Sequence, residues 1–594
     1  MLSKSSISRN FSRCLAGFSV LTVFAGVPFG STSVPQAALD NKSSDDFLRV
    51  QCEIGRSGGK LVFSQRSEPK TLNPLFAHDE SSRAIIGLLT ADLIHINRYT
   101  QRTEPALAMS WTVSPDRLAY SLRLRHGLRF SDGHPFDADD VVFTFNCYLD
   151  ERLHAPQREL LVIAGTPISV RKLDQYTVVF TLARPYAAAE RLFDSIAILP
   201  RHLLQQHDKQ SRLSEVWPLN TPPEQIAGLG PFRLKEYVPG QRIALERNPY
   251  YWKKDPNGQT LPYLDRIESV FVTNAEAEAM RFEAGETDLI NRLDAADFAA
   301  LSRDQQRHHF HLYDLGPGLE YDFLSFNQNA PPAGNWPALS QKQQWFSQTA
   351  FRQAIASAVD RESIVRLVYR DRARPLSVQV TPGNKLWVNN KIPPPTQSRE
   401  RARRFLRSAG FSWSKDGLLM SANGTPVTFS LAFNGTKPSP GQIAVLIQQD
   451  MKALGIGVTL EPLEFATFLD RLFASFKYEA AILALADGDA DPNSEINVLT
   501  SSGNAHVWNL HAASPPPWQL EIDRLMREQL ISTNFEERKH IFNRVQELMW
   551  ENVPVICLIS PDILVGAKDR IRNFRPAILS DHTLWNAEQL FIHE

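Results

Sequence analysis

The segment VTFSLAFNGTKPSPGQIAVLIQQDMKALGIGVTL, residues 427–460, carries the clearest indication of the fold. Apolar residues alternate with smaller or polar ones over 427–433, which is the period of a half-buried strand. Apolar residues then recur at helical spacing, and Gly455 is placed to end that helix. Residues 456–460 are strand-like again. A strand, a helix and a strand at this spacing predict a βαβ crossover and hence an α/β sheet.

The rest of the chain continues this mixture of strands and helices. Residues 120–125 alternate between apolar and polar, which predicts another half-buried strand. Asp137 stands where a helix N-cap is expected, because acidic residues follow it in the first turn, where the helix dipole favours negative charge. Near the end of the chain an amphipathic helix is predicted to stop before Pro554, and a buried strand is predicted over 555–559.

Length and composition restrict the class of protein. The chain has 594 residues, which is more than a single hydrophobic core supports, so we expect at least two lobes or domains. Lys and Arg number 64 against 65 Asp and Glu, and this balance gives no basic excess for binding nucleic acid. Hydrophobic residues make up 43% and charged residues 22%, values that exclude a largely disordered chain.

The N-terminal segment has the order of a secretory signal. Positive charge at Lys4, Arg9 and Arg13 precedes an apolar stretch over 14–29, and small residues follow it. The apolar stretch is shorter than the ~20 residues that span a bilayer and contains glycine and proline, which argues against a membrane anchor. We therefore expect residues 1–38 to be a signal peptide and the mature protein to lie outside the cytoplasm.

Three cysteines follow the predicted signal: Cys52, Cys147 and Cys557. An odd number cannot complete a disulfide framework, and no CxxC pair offers a metal or redox site. One bridge and three unpaired thiols are both compatible with the sequence. The nucleotide-binding patterns GxxxxGK[ST] and GxGxxG do not occur, and we expect no cofactor.

Two short motifs suggest a catalytic site and a metal site but lack the surrounding residues that such sites need. Ser57 lies in a G-x-S-x-G match over 55–59, yet a strand follows it where a nucleophile elbow requires a helix. His309 and His311 would share one face of a strand and could chelate a metal, but no third ligand is near in sequence. We expect no catalytic residue and no metal-binding residue in this chain.

The acidic loop over 487–492 follows the apolar run 480–486. Its beginning resembles a calcium loop, but the distal glutamate that such a loop needs is absent. Loops at the ends of strands in α/β sheets tend to hold ligands, whereas the alternative is a solvated acidic turn.

Several segments spread along the chain are together typical of one protein family. In chain order they are GGKLV (58–62), LNPL (72–75), PALA (105–108), FSDG (130–133), DVVF (140–143), GLGPF (228–232), ERNPYYW (246–252), FRQA (351–354), VDRE (359–362) and residues 402–411. They resemble the bacterial extracellular solute-binding proteins of family 5, the peptide-, oligopeptide- and nickel-binding components of ABC importers. The resemblance runs from about Gly58 to the C-terminus.

The resemblance implies a periplasmic-binding-protein-like α/β fold, in which two lobes joined by two hinge strands enclose a ligand cleft. On that basis the first lobe comprises residues 58–316 and a C-terminal return over 561–594. Residues 317–560 form the second lobe. The polar composition of the segment before Gly58 separately predicts a flexible leader over residues 39–57.

The resemblance also implies where a ligand is held. Peptide-binding members hold the ligand's amino terminus with an aspartate ahead of an Asp-Pro step, which falls at 491–492 here. The family spacing places this aspartate at Gly488, so the flanking Asp487 and Asp489 are the candidates, since a carboxylate pairs with an ammonium group. The other predicted ligand-binding residues are Phe76, Asp79 and Trp508.

The leading hypothesis is therefore a periplasmic substrate-binding protein of an ABC importer. It would capture peptide or peptide-like solutes by cleft closure and deliver them to a permease in the inner membrane. We expect a monomer that binds no nucleic acid and catalyses nothing. The alternatives are a binder of a nickel chelate or a sugar on the same fold, a chemoreceptor partner without a permease and, in another class, a secreted serine hydrolase using Ser57.

Overall fold

The computed structural model of this protein describes residues 46–163, 165–194, 196–329, 337–486, 489–510 and 514–593. The predicted signal peptide and the candidate ligand residue Asp487 lie outside these residues. Among the helices of the described part, none has both the length and the apolar character needed to cross a membrane.

Strands and helices alternate along the chain. The strands are β1 Leu48–Arg49, β2 Lys60–Gln65, β3 Ile94–Ile96, β4 Thr103–Pro105, β5 Ala108–Val113, β6 Ala119–Leu124, β7 Val162–Ile163, β8 Thr166–Pro167, β9 Ser169–Asp174, β10 Thr177–Thr181, β11 Phe232–Val238, β12 Arg242–Arg247, β13 Lys253–Lys254, β14 Arg266–Phe271, β15 Leu289–Ile290, β16 Phe310–Pro317, β17 Glu320–Phe326, β18 Ala373–Pro375, β19 Ser412–Trp413, β20 Leu419–Met420, β21 Thr428–Asn434, β22 Gly457–Leu463, β23 Ala480–Ala486, β24 Val555–Lys568, β25 Ile571–Arg572 and β26 Phe591–Ile592. The α-helices are α1 Glu80–Leu89, α2 Ala138–Leu149, α3 Arg201–Lys209, α4 Ala275–Glu283, α5 Ala295–Leu301, α6 Pro337–Phe346, α7 Thr349–Ala358, α8 Arg361–Val368, α9 Arg399–Ser408, α10 Pro438–Ala453, α11 Phe465–Phe473, α12 Ile496–Leu499, α13 Pro517–Ile531 and α14 Phe535–Asn552.

The βαβ unit predicted over 427–460 is confirmed. Strands β21 and β22 pair in parallel, with Thr428 opposite Gly457, and α10 forms the crossover between them. Helix α10 begins with Pro438, whose fixed backbone suits the first helical position. Gly455 follows the helix with φ of 81°, a left-handed conformation that glycine adopts without strain.

The cap predicted at Asp137 is also confirmed. Its side chain accepts a hydrogen bond from the Asp139 amide at 2.8 Å, while Asp140 reaches back to the Asp137 amide at 3.0 Å. This reciprocal arrangement satisfies amides that have no partner inside helix α2. The predicted half-buried strand at 120–125 corresponds to β6, whose residues alternate between inward and outward positions.

One large sheet runs through both lobes. Its strand order is β11-β12-β14-β2-β15-β24-β17-β23-β21-β22, and β16 and β18 also pair with β24. A smaller sheet, β5-β6-β10-β9, lies with the first lobe. One apolar core contains Leu61, Ile267 and Leu289 of the first lobe, while Leu324, Leu431 and Ile556 belong to a separate core of the second. The structure therefore has the two α/β lobes that the resemblance implied.

Strand β24 is longer than the sequence predicts. The apolar run suggested a strand over 555–559, but β24 continues through Ser560, Pro561 and Asp562 to Lys568. It pairs with β17 and β18 of the second lobe and then with β15 and β16 of the first. These partners are remote in sequence, so the local pattern could not reveal where the strand ends.

Residues 46–57, the described part of the predicted flexible leader, are more ordered than predicted. Leu48–Arg49 pairs in parallel with Lys253–Lys254, and Asp46 accepts a hydrogen bond from the His126 amide at 3.0 Å. Gly55 lies against the rings of Phe591 and Tyr263. Backbone pairing with β13 explains how a polar segment of low apolar content packs on the first lobe.

All three cysteines after the predicted signal are free in the structure. Cys147 and Cys557 are buried, and burial raises the pKa of both thiols, to about 12 for Cys557. Of the two alternatives that the sequence left open, the structure has the three unpaired thiols. Their high pKa keeps the buried pair in the unreactive thiol form.

Candidate functional site

The loop over residues 489–495, called the junction loop below, lies beyond strand β23 in the second lobe. Asp491 caps the 3₁₀ helix Pro492–Glu495 by accepting a hydrogen bond from the Asn493 amide at 3.1 Å. Proline at the first helical position has no amide to satisfy, so this Asp-Pro step starts the turn by local chemistry. The described part of the predicted acidic loop, residues 489–492, therefore lies beyond an apolar strand, as the sequence predicts.

Asp491 also fixes the junction loop within the second lobe. Its two carboxylate oxygens accept hydrogen bonds from Arg538 of α14 at 2.8 and 3.0 Å, and both side chains are 7% exposed. Arg538 donates in addition to the Gln529 carbonyl at 3.0 Å and lies 4.9 Å from the ring centre of Trp387. A buried bidentate pair that is supported by a further hydrogen bond from the arginine holds the loop in one position.

Asp489 points instead to the first lobe. Its two carboxylate oxygens accept hydrogen bonds from Nε and Nη2 of Arg191, and its Oδ1 also accepts from the Ala490 amide at 2.6 Å. The Arg191 and Asp489 side chains are 15% and 23% exposed. Burial acts to lower the pKa of Arg191, but the bond and charge of Asp489 outweigh it and raise that pKa. Asp489, predicted to bind ligand, thus has a partner within the protein.

Further contacts join the lobes around this ion pair. The Ala187 amide donates to the Leu530 carbonyl at 2.6 Å, and Gln101 Nε2 donates to the Gly383 carbonyl at 3.1 Å. A small apolar cluster combines side chains from both lobes, namely Ile96, Leu319, Ala490 and Leu579. The junction loop therefore lies where the two lobes meet, which is the position that the resemblance implies for a ligand-holding loop.

The other predicted ligand residues have partners of their own. Phe76 is half-buried against the first-lobe core, and Asp79 caps α1 by accepting from the Ser82 amide at 2.9 Å. Trp508 is only 2% exposed within the second-lobe core, with its ring centre 3.9 Å from that of His506. These contacts are with residues other than Asp489, and the part of the three side chains in ligand binding stays a prediction.

One group of side chains in the described part has the spacing of metal ligands. Ligand atoms of Asp92, His95 and Asp194 lie within 4.8 Å of one another. Arg98 donates to both Asp194 oxygens at 3.3 and 3.1 Å, and His95 Nδ1 is 3.2 Å from Asp92. Burial acts to lower the pKa of His95, but Asp92 outweighs this effect and raises it. Arg98 and His95 thus already provide these carboxylates with partners inside the protein.

The two weaker motifs of the sequence have ordinary surroundings. His309 has φ of 53° and precedes strand β16, whereas His311 lies on it, 4.6 Å from the Tyr313 ring, so the two imidazoles do not share a strand face. Ser57 is exposed, and its hydroxyl accepts a hydrogen bond from Gln259 Nε2 at 2.7 Å. Strand β2 follows Ser57, as the sequence predicted.

Sequence reasoning did not find the two arginines of the junction. Arg191 is 298 positions from Asp489 and Arg538 is 47 from Asp491. Neither arginine stands in a motif that marks it among the 64 Lys and Arg of the chain. The Asp-Pro step was a usable signal because its geometry is local, but the ion-pair partners depend on the folded arrangement of the lobes.

Comparison with known proteins places this chain in a family. The family described as bacterial extracellular solute-binding proteins, family 5 middle, matches residues 102–506. The chain belongs to family 5 of the bacterial extracellular solute-binding proteins. This membership accounts for the two lobes and for a loop held at their junction, because such proteins enclose a solute between lobes that move against each other.

Relatives of similar length support the assignment. A probable ABC transporter-binding protein of Deinococcus radiodurans is 26% identical over 559 residues, which cover 90% of this chain and 92% of that protein. The oligopeptide-binding protein AppA of Bacillus subtilis is 23% identical over 550 residues, with 91% and 93% covered.

Solved structures have the same fold. Bacillus subtilis AppA in complex with a nonapeptide has a TM-score of 0.68 at 23% identity, covering 91% of this chain and all of that one. NikA of Brucella suis in complex with Fe(III)-EDTA has a TM-score of 0.74 at 22% identity, covering 90% and 100%. The fold class predicted from the sequence is therefore confirmed.

Proposed function

We propose that this family 5 protein is the periplasmic binding component of an ABC importer for peptide or peptide-like solutes. It captures the solute between its lobes, closes, and delivers it to a permease in the inner membrane, without catalysing a reaction. The observation that carries the proposal is the junction loop, an acidic loop fixed to one lobe at the meeting point of both, in a chain of this family.

Peptide is the favoured class because of the relatives. AppA is an oligopeptide-binding protein, and its solved structure contains a nonapeptide. An extended peptide suits a cleft between two lobes, since main-chain hydrogen bonds hold any sequence while pockets accept different side chains. An ABC importer as partner is supported by the Deinococcus radiodurans protein, whose description is a probable ABC transporter-binding protein.

We propose that each lobe moves as a rigid unit, and that the two lobes have the residue boundaries expected from the sequence. The first comprises residues 58–316 and 561–594 and the second residues 317–560. Gly318 lies at the crossing, where its amide donates to the Pro561 carbonyl at 3.2 Å. Opening at this crossing would expose the junction loop.

Native mass spectrometry of the exported, non-denatured protein tests the ligand class. We expect a family of adducts with peptide-like masses that are lost on unfolding. Adducts that contain nickel or another metal would instead support the nickel-chelate alternative. The solved NikA structure favours this alternative over others, because it contains a metal chelate, Fe(III)-EDTA. Sugar masses would likewise overturn the peptide proposal.

The amine-anchor hypothesis is tested with paired ligands. Asp487→Ala is expected to weaken binding of trialanine by about tenfold more than binding of N-acetyl-trialanine, because only the free peptide has an ammonium group to pair with a carboxylate. Calorimetry gives both affinities. Asp416→Ala, in an exposed turn of the second lobe, is the matched control. Equal losses for the two peptides in Asp487→Ala would contradict an amine anchor at this position.

A further inference from the structure

We propose that Arg191 and Asp489 form a clasp that holds the two lobes closed, and that Asp489 therefore does not hold a ligand's amino group. The inference rests on the proposed function and refines it. Because Asp489 pairs with Arg191, it does not discriminate between peptides with a free amino terminus and peptides with a blocked one. Asp489 is then a positioning residue for closure, whereas Asp487 stays the candidate for contact with an amine.

The first support is that the hydrogen-bonding capacity of both partners is engaged. The flat guanidinium of Arg191 meets the carboxylate of Asp489 through two parallel bonds, the geometry that makes such pairs strong. Asp489 Oδ1 accepts a third bond from Ala490, and Arg191 Nη1 and Nη2 both donate to the Gln101 carbonyl at 3.3 Å. A ligand ammonium could reach Asp489 only by displacing a guanidinium, and it would meet positive charge there.

The second support is that each partner is fixed to its own lobe. Arg191 lies in the 3₁₀ helix Ala189–Phe193, whose apolar residues belong to the first-lobe core. Asp489 belongs to the junction loop, where Ser494 Oγ donates to the Asp489 carbonyl at 3.1 Å and Arg538 holds Asp491. Because the two anchors lie in different lobes, the ion pair forms when the lobes close and is lost when they open.

The third support is the degree of burial. At 15% and 23% exposure, the pair is more shielded than surface ion pairs such as Arg524 with Glu521, whose side chains are 49% and 40% exposed. Shielding strengthens the attraction, while the remaining access to water lets the pair separate and form again. Closure without a solute is thereby favoured, so a solute needs less of its binding free energy to hold the lobes together.

Small-angle X-ray scattering of the ligand-free protein tests the clasp directly. Arg191→Gln and Asp489→Asn are each expected to increase the radius of gyration, because the closed population falls. The double charge reversal Arg191→Asp with Asp489→Arg should restore the wild-type radius. Arg524→Gln, which removes ion pairs within α13 alone, is the matched control and should leave the radius unchanged. Unchanged radii in both single variants would overturn the clasp.

Peptide affinities separate the clasp from an amine anchor. With a clasp, Asp489→Asn weakens trialanine and N-acetyl-trialanine by the same factor, about tenfold, because closure is lost for both. Selective loss of trialanine binding with an unchanged radius would mean that Asp489 does hold the amine. If the wild type binds neither peptide, the proposed peptide function fails, while the scattering comparison still decides the clasp.

Discussion

Asp489 and Asp491 stand two residues apart in one loop, and each makes a bidentate ion pair with an arginine, but the two pairs differ in what they join. Asp491 pairs with Arg538 inside the second lobe, where both side chains are 7% exposed. Asp489 pairs with Arg191 of the first lobe, at 15% and 23% exposure. The same chemistry therefore serves a permanent attachment in one case and a contact between movable parts in the other.

The difference shows how burial decides the role of an ion pair. A fully desolvated pair is costly to break, because each charge left behind has no water to replace its partner. A pair that keeps some access to water can be broken and re-formed at a lower cost. The junction loop has both kinds of ion pair, because it is fixed to the second lobe and also contacts the first.

The largest effect is expected when the Asp491–Arg538 ion pair within the second lobe is broken. Asp491→Asn leaves the Arg538 charge without its counter-ion in a buried site, so the free energy of unfolding should fall by about 3 kcal/mol. Asp489→Asn should lower it by about 1 kcal/mol or less. Urea unfolding followed by tryptophan fluorescence measures both. Equal losses in the two variants would remove the distinction between the pairs.

A smaller effect is expected at Gly383, whose carbonyl accepts the hydrogen bond from Gln101 that also joins the two lobes. A Cβ at Gly383 would lie 2.2 Å from the Pro317 carbonyl oxygen and 2.7 Å from that of Gly318. Gly383→Ala should therefore push this loop away from the crossing, weaken the Gln101 contact, and reduce the free energy of unfolding by about 2 kcal/mol.

Gly87→Ala is the matched control for this change. Gly87 lies in helix α1, and a Cβ added there would meet no neighbouring atom within 4 Å, so alanine should stabilise the protein slightly through its better helix propensity. Thermal unfolding of both variants gives the comparison. A stable Gly383→Ala protein would show that the loop relaxes without strain.

The smallest effect is expected at Asp562, in the part of β24 that crosses between lobes. Its side chain is fully buried, neither carboxylate oxygen has a hydrogen-bond partner among the described residues, and Arg374 lies 3.5 Å away. Burial, with the charge of Asp314, raises the pKa of Asp562 from 3.8 to about 6. The folded protein thus binds an extra proton between about pH 4 and 6, so this group's contribution to stability falls as pH rises through that window.

Asp562→Asn should remove this contribution to the pH dependence. At pH 7 the variant lacks the buried charge, so its free energy of unfolding should exceed that of the wild type by about 1 kcal/mol, and the difference should shrink toward pH 4. Urea unfolding at pH 4, 5.5 and 7 measures it. A variant that is less stable than wild type at pH 7 would show that the Arg374 interaction outweighs the cost of burial.

Much of the fold could be predicted because its signals are local. The alternation in β6, the cap at Asp137 and the βαβ unit of β21, α10 and β22 all depend on neighbouring residues. The position of the junction loop could also be predicted, since the Asp-Pro step at 491–492 starts its turn by itself.

The features that could not be predicted depend on residues far apart in sequence. Strand β24 extends to Lys568 because of partners in both lobes, and the segment around Leu48 is ordered by pairing with β13. Arg191 becomes the partner of Asp489 only when the lobes meet. Trp508, a predicted ligand residue, packs inside a core, which the sequence pattern alone does not specify, and its part in ligand binding stays a prediction.

The position of β24 in the sheet has a consequence for how the chain folds during synthesis. Strand β15 of the first lobe and β17 of the second are both neighbours of β24, which comes from residues 555–568. Neither lobe can complete its sheet until residues 555–568 have been made, so one edge of β15 and one edge of β17 stay unpaired until then. Such edges invite aggregation, and the nascent protein should depend on chaperones until β24 has been made.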